Sequence, residues 1–307
     1  MPILGFVVGF AVLGIAALAL WLYAPDKPRA ALEGAYAGDY RTVDGARLRL
    51  QDIGPRDAPV VILLHGFGAS LETWNGWATP LSGRYRVISI DLPGFGLTGP
   101  DPKGNYSDAR SVQILVGLMD QLSIDRANVI GNSLGGRIAW TFAAQHPERV
   151  TRLLLVSPDG FASPGFEYDK ASQTPLLMKA LPYVAPRNML KANLAASYAR
   201  PEHLSDATLT RYRDMMLAPG VRSAILARME QTILRDPAPV LARITTPTLL
   251  VWGEKDAMIP ISNAADYLRA VPNAMLVRLP NLGHVPFEED PVRSLPPVER
   301  FLAGETP

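Results

Sequence analysis

The chain has no cysteine and only four histidines among its 307 residues. The first absence excludes disulfides, thiolate metal sites and a cysteine nucleophile. The second leaves no histidine pair at the spacing of a helical zinc site, so no metal is expected, and nothing else implies a cofactor. An excess of one charge is missing too: Lys plus Arg come to 30 and Asp plus Glu to 29. No basic face stands out to draw nucleic acid. Internal repeats and low-complexity segments are also absent.

One long run has no charge at all. From Pro2 to Tyr23 the sequence reads PILGFVVGFAVLGIAALALWLY. As a helix it would be roughly 33 Å long, enough for the hydrocarbon core of a bilayer. Trp21 and Tyr23 stand at its end, where aromatic side chains favour the headgroup level. A cleaved signal peptide would want a basic leader, which is missing, and a shorter apolar core, although Ala17–Ala19 offers a cleavage site. A buried core helix would not be apolar all round. The expectation is an uncleaved, single-pass membrane anchor over residues 1–24. Lys27 and Arg29 follow it and no basic side chain precedes it, which points the rest of the chain to the cytoplasmic face.

A Pro-containing linker is expected over 25–38. An alternation of apolar runs and helical patterns follows. YRTVDGARLRL holds Asp44-Gly45 between two alternating runs, a hairpin signature. APVVILLHG and ANVIGN are short apolar runs without polar alternation, as in strands covered on both faces. Ser107 offers an N-cap to DARSVQILVGLMDQL, whose apolar residues recur at helical spacing. This rhythm predicts an α/β fold, a mostly parallel sheet wrapped by helices, over 39–158 and again over 245–307. Between them, 159–244 is helix-like, interrupted by Pro175, Pro182, Pro186 and Pro201, and has no convincing strand. It reads as an inserted helical lid.

GNSLG, Gly131 to Gly135, lies between a buried strand and a helix. A serine on so sharp a turn lifts its hydroxyl above the sheet edge, and glycines on either side clear room for the backbone. Ser133 is therefore the candidate nucleophile. A hydroxyl needs a base, and the base needs a carboxylate to orient it. His65 directly follows a strand, His146 ends a helix and His203 lies in the polar part of the lid. His284, in LPNLGHVPFEEDP, sits in a glycine-flanked loop past the last strand, on the sheet edge where Ser133 stands. Two carboxylates compete as its partner, Asp256 and Asp159, both at carboxyl ends of strands. Chain order allows either. Asp256 is preferred because its strand is nearer His284 in sequence. The backbone N–H groups of Leu134 and Phe67, the latter in HGFG, are the candidate oxyanion donors.

LLHGFGAS, IDLPGFG, GNSLGG, VWGEKDAMIP and GHVPFEEDP together resemble the α/β-hydrolase superfamily, in the right order and across Val60 to Pro291. The resemblance implies an eight-stranded, mostly parallel sheet with a helical cap, a Ser133–His284–Asp256 triad and the oxyanion hole just described. Serine at the elbow departs from haloalkane dehalogenases and epoxide hydrolases, which carry aspartate there. The chain looks most like membrane-anchored monoacylglycerol-lipase-type and carboxylesterase members. In that setting Leu176, Leu177, Met178, Leu181 and Met189 of the lid are candidates to line an acyl tunnel, or simply pack the lid on the core.

The expected activity is hydrolysis of carboxylic esters with lipid-like or medium-chain acyl groups through an acyl-enzyme. A carbon–carbon bond hydrolase of the meta-cleavage-product type is the first alternative. GNSLGG resembles those enzymes, but GFGAS lacks the Gly-Pro-Gly element usual in their loop after the third strand. A non-catalytic ligand-binding member of the same fold is the second. The expected partners are a small acyl ester and, through the first helix, the membrane.

Overall fold

The computed structural model describes residues 22–162, 167–170 and 174–307. Eight strands form one sheet in the order β1-β2-β4-β3-β5-β6-β7-β8. They are β1 Asp39–Val43, β2 Ala46–Ile53, β3 Val60–Leu64, β4 Arg86–Ile90, β5 Ala127–Asn132, β6 Val150–Val156, β7 Thr248–Gly253 and β8 Ala274–Leu279. The β1–β2 and β2–β4 pairs are antiparallel and every other pair is parallel. The Asp44-Gly45 turn closes the first pair with φ of 45° and 85°, the left-handed backbone that an Asp-Gly hairpin turn supplies.

The central strands are buried along their length, as apolar runs without polar alternation require. Successive side chains serve opposite faces. Ile62 and Leu64 join one apolar cluster with Val129 and Leu250, whereas Val61 and Leu63 join another with Ile130 and Leu249. Helix α3, Asp108–Gln121, starts where expected, with the Ser107 hydroxyl accepting the Arg110 N–H at 3.2 Å. Helix α4, Leu134–Gln145, follows β5 directly and packs on β5 and β6.

The expected linker over 25–38 is corrected. Residues Arg29–Ala35 form helix α1, and Leu32 is buried in the main core. Around it, the Arg29 guanidinium donates to the Leu97 carbonyl at 2.7 Å and Lys27 pairs with Asp214 at 2.6 Å. A segment so tied is part of the domain. Helix α2 is Asn75–Leu81. Between β6 and β7 the chain forms α5 Arg187–Ala195, α6 Asp206–Met216 and α7 Val221–Gln231, with no strand of the sheet among the described residues. Leu209 and Met215 of α6 are buried, whereas α5 buries no residue.

The anchor expected over residues 1–24 lies almost wholly outside the described residues. Among those described, no helix is long and apolar enough to cross a membrane.

Candidate active site

Ser133 stands between β5 and α4 with φ 52° and ψ −119°, a conformation side chains rarely adopt. Its N–H donates to the Val156 carbonyl at 3.1 Å, and its own carbonyl accepts the Asp159 N–H at 3.0 Å. These bonds hold the strained turn. The glycines are there because nothing larger fits. A Cβ on Gly131 would lie 2.3 Å from the Gly135 carbonyl oxygen, and one on Gly135 2.1 Å from that of Leu64. The Ser133 side chain remains half-buried, hence reachable.

His284, in the loop after β8, is buried and directs Nδ1 to the Asp256 Oδ2 at 2.8 Å. The other oxygen, Oδ1, accepts the N–H groups of Met258 and Ile259, both at 2.9 Å. Asp256 is thereby fixed as an acceptor, and an acceptor at Nδ1 leaves Nε2 of a neutral ring free to take a proton. Asn132, the residue before Ser133, donates its side-chain amide to the His284 carbonyl at 3.1 Å, so the histidine loop lies against the elbow. Asp159 is not brought to His284. Its carboxylate faces Arg137 at 3.7 Å, and burial pushes it above the ordinary carboxylate range against the pull of that guanidinium.

Phe67 and Leu134 flank the same point. A Cβ on Gly66 would stand 2.7 Å from the Asn132 Oδ1 and 3.3 Å from the Ser133 Cβ, so the loop after β3 touches the elbow. Among the described residues no acceptor takes the N–H of either Phe67 or Leu134. Two such donors beside a nucleophile can stabilise an oxyanion. Phe67 is 47% exposed, and its ring meets Phe95 edge-on, centroids 5.3 Å apart.

His65, read from sequence only as a residue after a strand, fixes this loop. It is fully buried, bonds the Gly66 carbonyl through Nδ1 at 2.7 Å and accepts the Leu92 N–H at Nε2 at 2.9 Å. The proton is therefore on Nδ1. Gly66 carbonyl and Phe67 N–H belong to one peptide plane, so gripping the first aims the second. Asp91 braces the neighbouring loops, accepting the N–H groups of Leu71 at 2.7 Å and Leu97 at 2.8 Å and facing Arg49 at 3.2 Å.

The lid residues proposed to line a tunnel meet different surroundings. Leu181 packs against the main core, Met178 is half-buried, and Leu176 and Met189 are exposed. The side chain of Leu177 lies outside the described residues. No group of three or more acidic or histidine side chains suited to a metal occurs among the described residues.

A family profile described as alpha/beta hydrolase fold matches residues 59–291. An uncharacterised protein of Mycobacterium tuberculosis is 30% identical over 283 residues, covering 87% of this chain and 82% of its own. The 2-hydroxy-6-oxo-6-phenylhexa-2,4-dienoate hydrolase of Burkholderia cepacia is 30% identical over 249 residues, 78% of this chain and 85% of that one. The crystal structure of a membrane phospholipase A, described as a bacterial virulence factor, superposes with a TM-score of 0.74 at 26% identity, covering 98% of this chain and 97% of that one.

Proposed function

The chain belongs to the α/β-hydrolase family, and on that premise we propose that it is a serine hydrolase cleaving carboxylic esters through an acyl-enzyme on Ser133. The observation that carries the reading is the 2.8 Å bond from His284 to Asp256, in a loop held against the Ser133 elbow. Ser133 Oγ adds to the ester carbonyl while its proton passes to His284 Nε2. The resulting oxyanion faces the N–H groups of Phe67 and Leu134. Collapse breaks the bond to the alcohol oxygen, which takes the proton from His284. Water, deprotonated by the same imidazole, then releases the acid and restores the serine.

The substrate proposed is a lipid-like or medium-chain acyl ester of the monoacylglycerol type. The charge-free run from Pro2 to Tyr23 supports it, as a single-pass anchor would bring the site to lipid, with the domain on the cytoplasmic side. The likeness to a membrane phospholipase A supports it too. A second reading, hydrolysis of a carbon–carbon bond in a ring-fission dienoate, is favoured by the Burkholderia cepacia relative.

A chain-length series of p-nitrophenyl esters and monoacylglycerols, with and without detergent, set against such a dienoate, tests both. The expected result is turnover of medium or long acyl esters, lost in Ser133→Ala. Faster turnover of the dienoate than of any ester transfers the conclusion to the second reading. Failure of a fluorophosphonate to tag Ser133 in folded protein, or undiminished hydrolysis by Ser133→Ala, ends the serine-hydrolase reading.

A further inference from the structure

The loop carrying His284 is gripped by a carboxylate that the chemistry above does not use. Glu289, five residues further on, is buried. Its Oε2 accepts the N–H of Gly283 at 2.8 Å and that of Ala199 at 3.1 Å, and its Oε1 accepts the N–H of Arg200 at 2.9 Å. Gly283 immediately precedes His284, whereas Ala199 and Arg200 belong to the lid, between α5 and α6. The neighbouring guanidinium groups are turned elsewhere, Arg211 to Glu288 and Arg200 to Asp290 at 3.6 Å. Three backbone amides are left to solvate the Glu289 charge.

Two further bonds complete the grip. The His284 N–H donates to the Ser197 carbonyl of the lid at 2.8 Å, and the His284 carbonyl accepts the Asn132 amide. The two backbones are in contact, for a Cβ on Gly283 would lie 2.6 Å from both the Ala199 nitrogen and the Ser197 oxygen. We propose that Glu289 is the positioning residue for His284, a carboxylate that locks the loop of the proton-carrying histidine to the lid. The proposal rests on the reading of Ser133, His284 and Asp256 as a triad.

A carboxylate suits this place because it only accepts. In Glu289→Gln one side-chain atom becomes an NH₂ aimed at backbone N–H donors, so that corner of the grip opens. The peptide before His284 then loses its restraint, and a displacement of about 1 Å at a reacting group costs on the order of 100-fold in rate. The charged or titratable groups around the histidine loop include Asp256, Glu289, Glu288 with Arg211, Tyr212 and Tyr198, Asp290 with Arg200 and Arg293, and His203, whose Nδ1 lies 3.3 Å from the Glu289 carbonyl. Glu289→Gln removes one negative charge from this set and so disfavours the imidazolium.

The test uses the full chain and a p-nitrophenyl ester, with active sites counted by fluorophosphonate titration. For Glu289→Gln the expected kcat per titrated site falls about 10- to 100-fold with KM within about threefold, and the acid limb of kcat/KM moves to lower pH. Glu289→Asp keeps the charge but is one methylene too short to hold both segments, so its limb stays in place while kcat per site still falls. A merely structural role would reduce the number of titratable sites and the Tm and leave both the limb and kcat per site unchanged. Wild-type kcat per site with an unmoved limb in Glu289→Gln overturns the proposal. Where Glu289→Gln does not fold, wild-type kcat per site in Glu289→Asp overturns it equally. Ser133→Ala separates the two levels. Hydrolysis surviving in that variant means that the triad reading has failed, whereas an inactive Ser133→Ala beside fully active Glu289 variants removes the Glu289 assignment alone.

Discussion

A side chain on Gly135 would place its first carbon 2.1 Å from the carbonyl oxygen of Leu64. Leu64 ends β3 and leads into the loop of His65 and Phe67, so the helix that starts after Ser133 and the strand that leads into the Phe67 loop meet backbone to backbone. Gly135→Ala must push them apart, because neither partner is a flexible side chain. A loss of about 3 kcal/mol is expected, the upper end of what overpacking costs. Gly34 in α1 is the contrast, with nothing within 4 Å of its added Cβ. Gly34→Ala is expected to stabilise by about 0.5–1 kcal/mol, since alanine restricts the unfolded chain and favours helix. Urea unfolding of the two variants measures both, and a Gly135→Ala protein as stable as wild type would remove the close-packing account of the elbow.

Ser133 itself is strained at φ 52° and ψ −119°. Glycine relieves such strain, worth about 1–3 kcal/mol, but returns about 0.4–1 kcal/mol through a more disordered unfolded chain. Ser133→Gly is therefore expected to unfold about 1 kcal/mol later than wild type in denaturant titrations, with hydrolysis abolished. Equal or lower stability would mean that the turn costs the fold nothing.

How far the sequence announced this arrangement differs residue by residue. The Asp44-Gly45 hairpin, the buried strands and the Ser107 cap rest on local chemistry and were legible. The elbow was legible too, because crowded glycines beside a serine make sense only where backbones collide. Helix α1 was not, since seven residues with one buried apolar side chain, Leu32, carry no period to read. The rival carboxylates were separable only by sequence distance, not by chain order: Asp159 and Asp256 follow adjacent strands, and the three-dimensional course of the loops turns the preferred Asp256 to His284 and Asp159 to Arg137. The bonds of His65 and Glu289 could not be read because their partners are backbone amides and carbonyls, which leave no mark in the identities of the residues that supply them.

The same geometry predicts unequal effects for the two carboxylates. In Asp256→Asn the oxygen serving Met258 and Ile259 can stay, but an NH₂ then faces His284 and favours the tautomer with its proton on the wrong nitrogen. In a serine hydrolase this change costs about 10⁴-fold in kcat. Asp159→Asn leaves Arg137 its 2.7 Å bond to Asp108 and should alter kcat no more than about threefold. Steady-state rates at one pH suffice, and the opposite ranking would hand the role to Asp159.

Burial holds His65 down to about 4, against an ordinary value of 6.5 and against the pull of the Gly66 carbonyl, and a second ring proton would confront the Leu92 N–H. Between those values the unfolded chain binds a proton that the folded chain refuses, so stability must fall as pH falls through that window and is complete above it. The loss is about 3 kcal/mol between pH 7 and pH 4, counting about 1.4 kcal/mol for each unit of displacement. Asp91 titrates in the same region with the opposite sign, because burial raises it to about 6 despite Arg49, and its protonation therefore favours the folded form as pH falls. Comparing wild type with His65→Gln, which cannot titrate there, cancels the Asp91 contribution. The unfolding free energy of wild type should drop by about 3 kcal/mol more than that of the variant over this range. Parallel pH profiles would show that His65 accepts its proton inside the folded protein, and the account of how it aims the Phe67 amide would lose its basis.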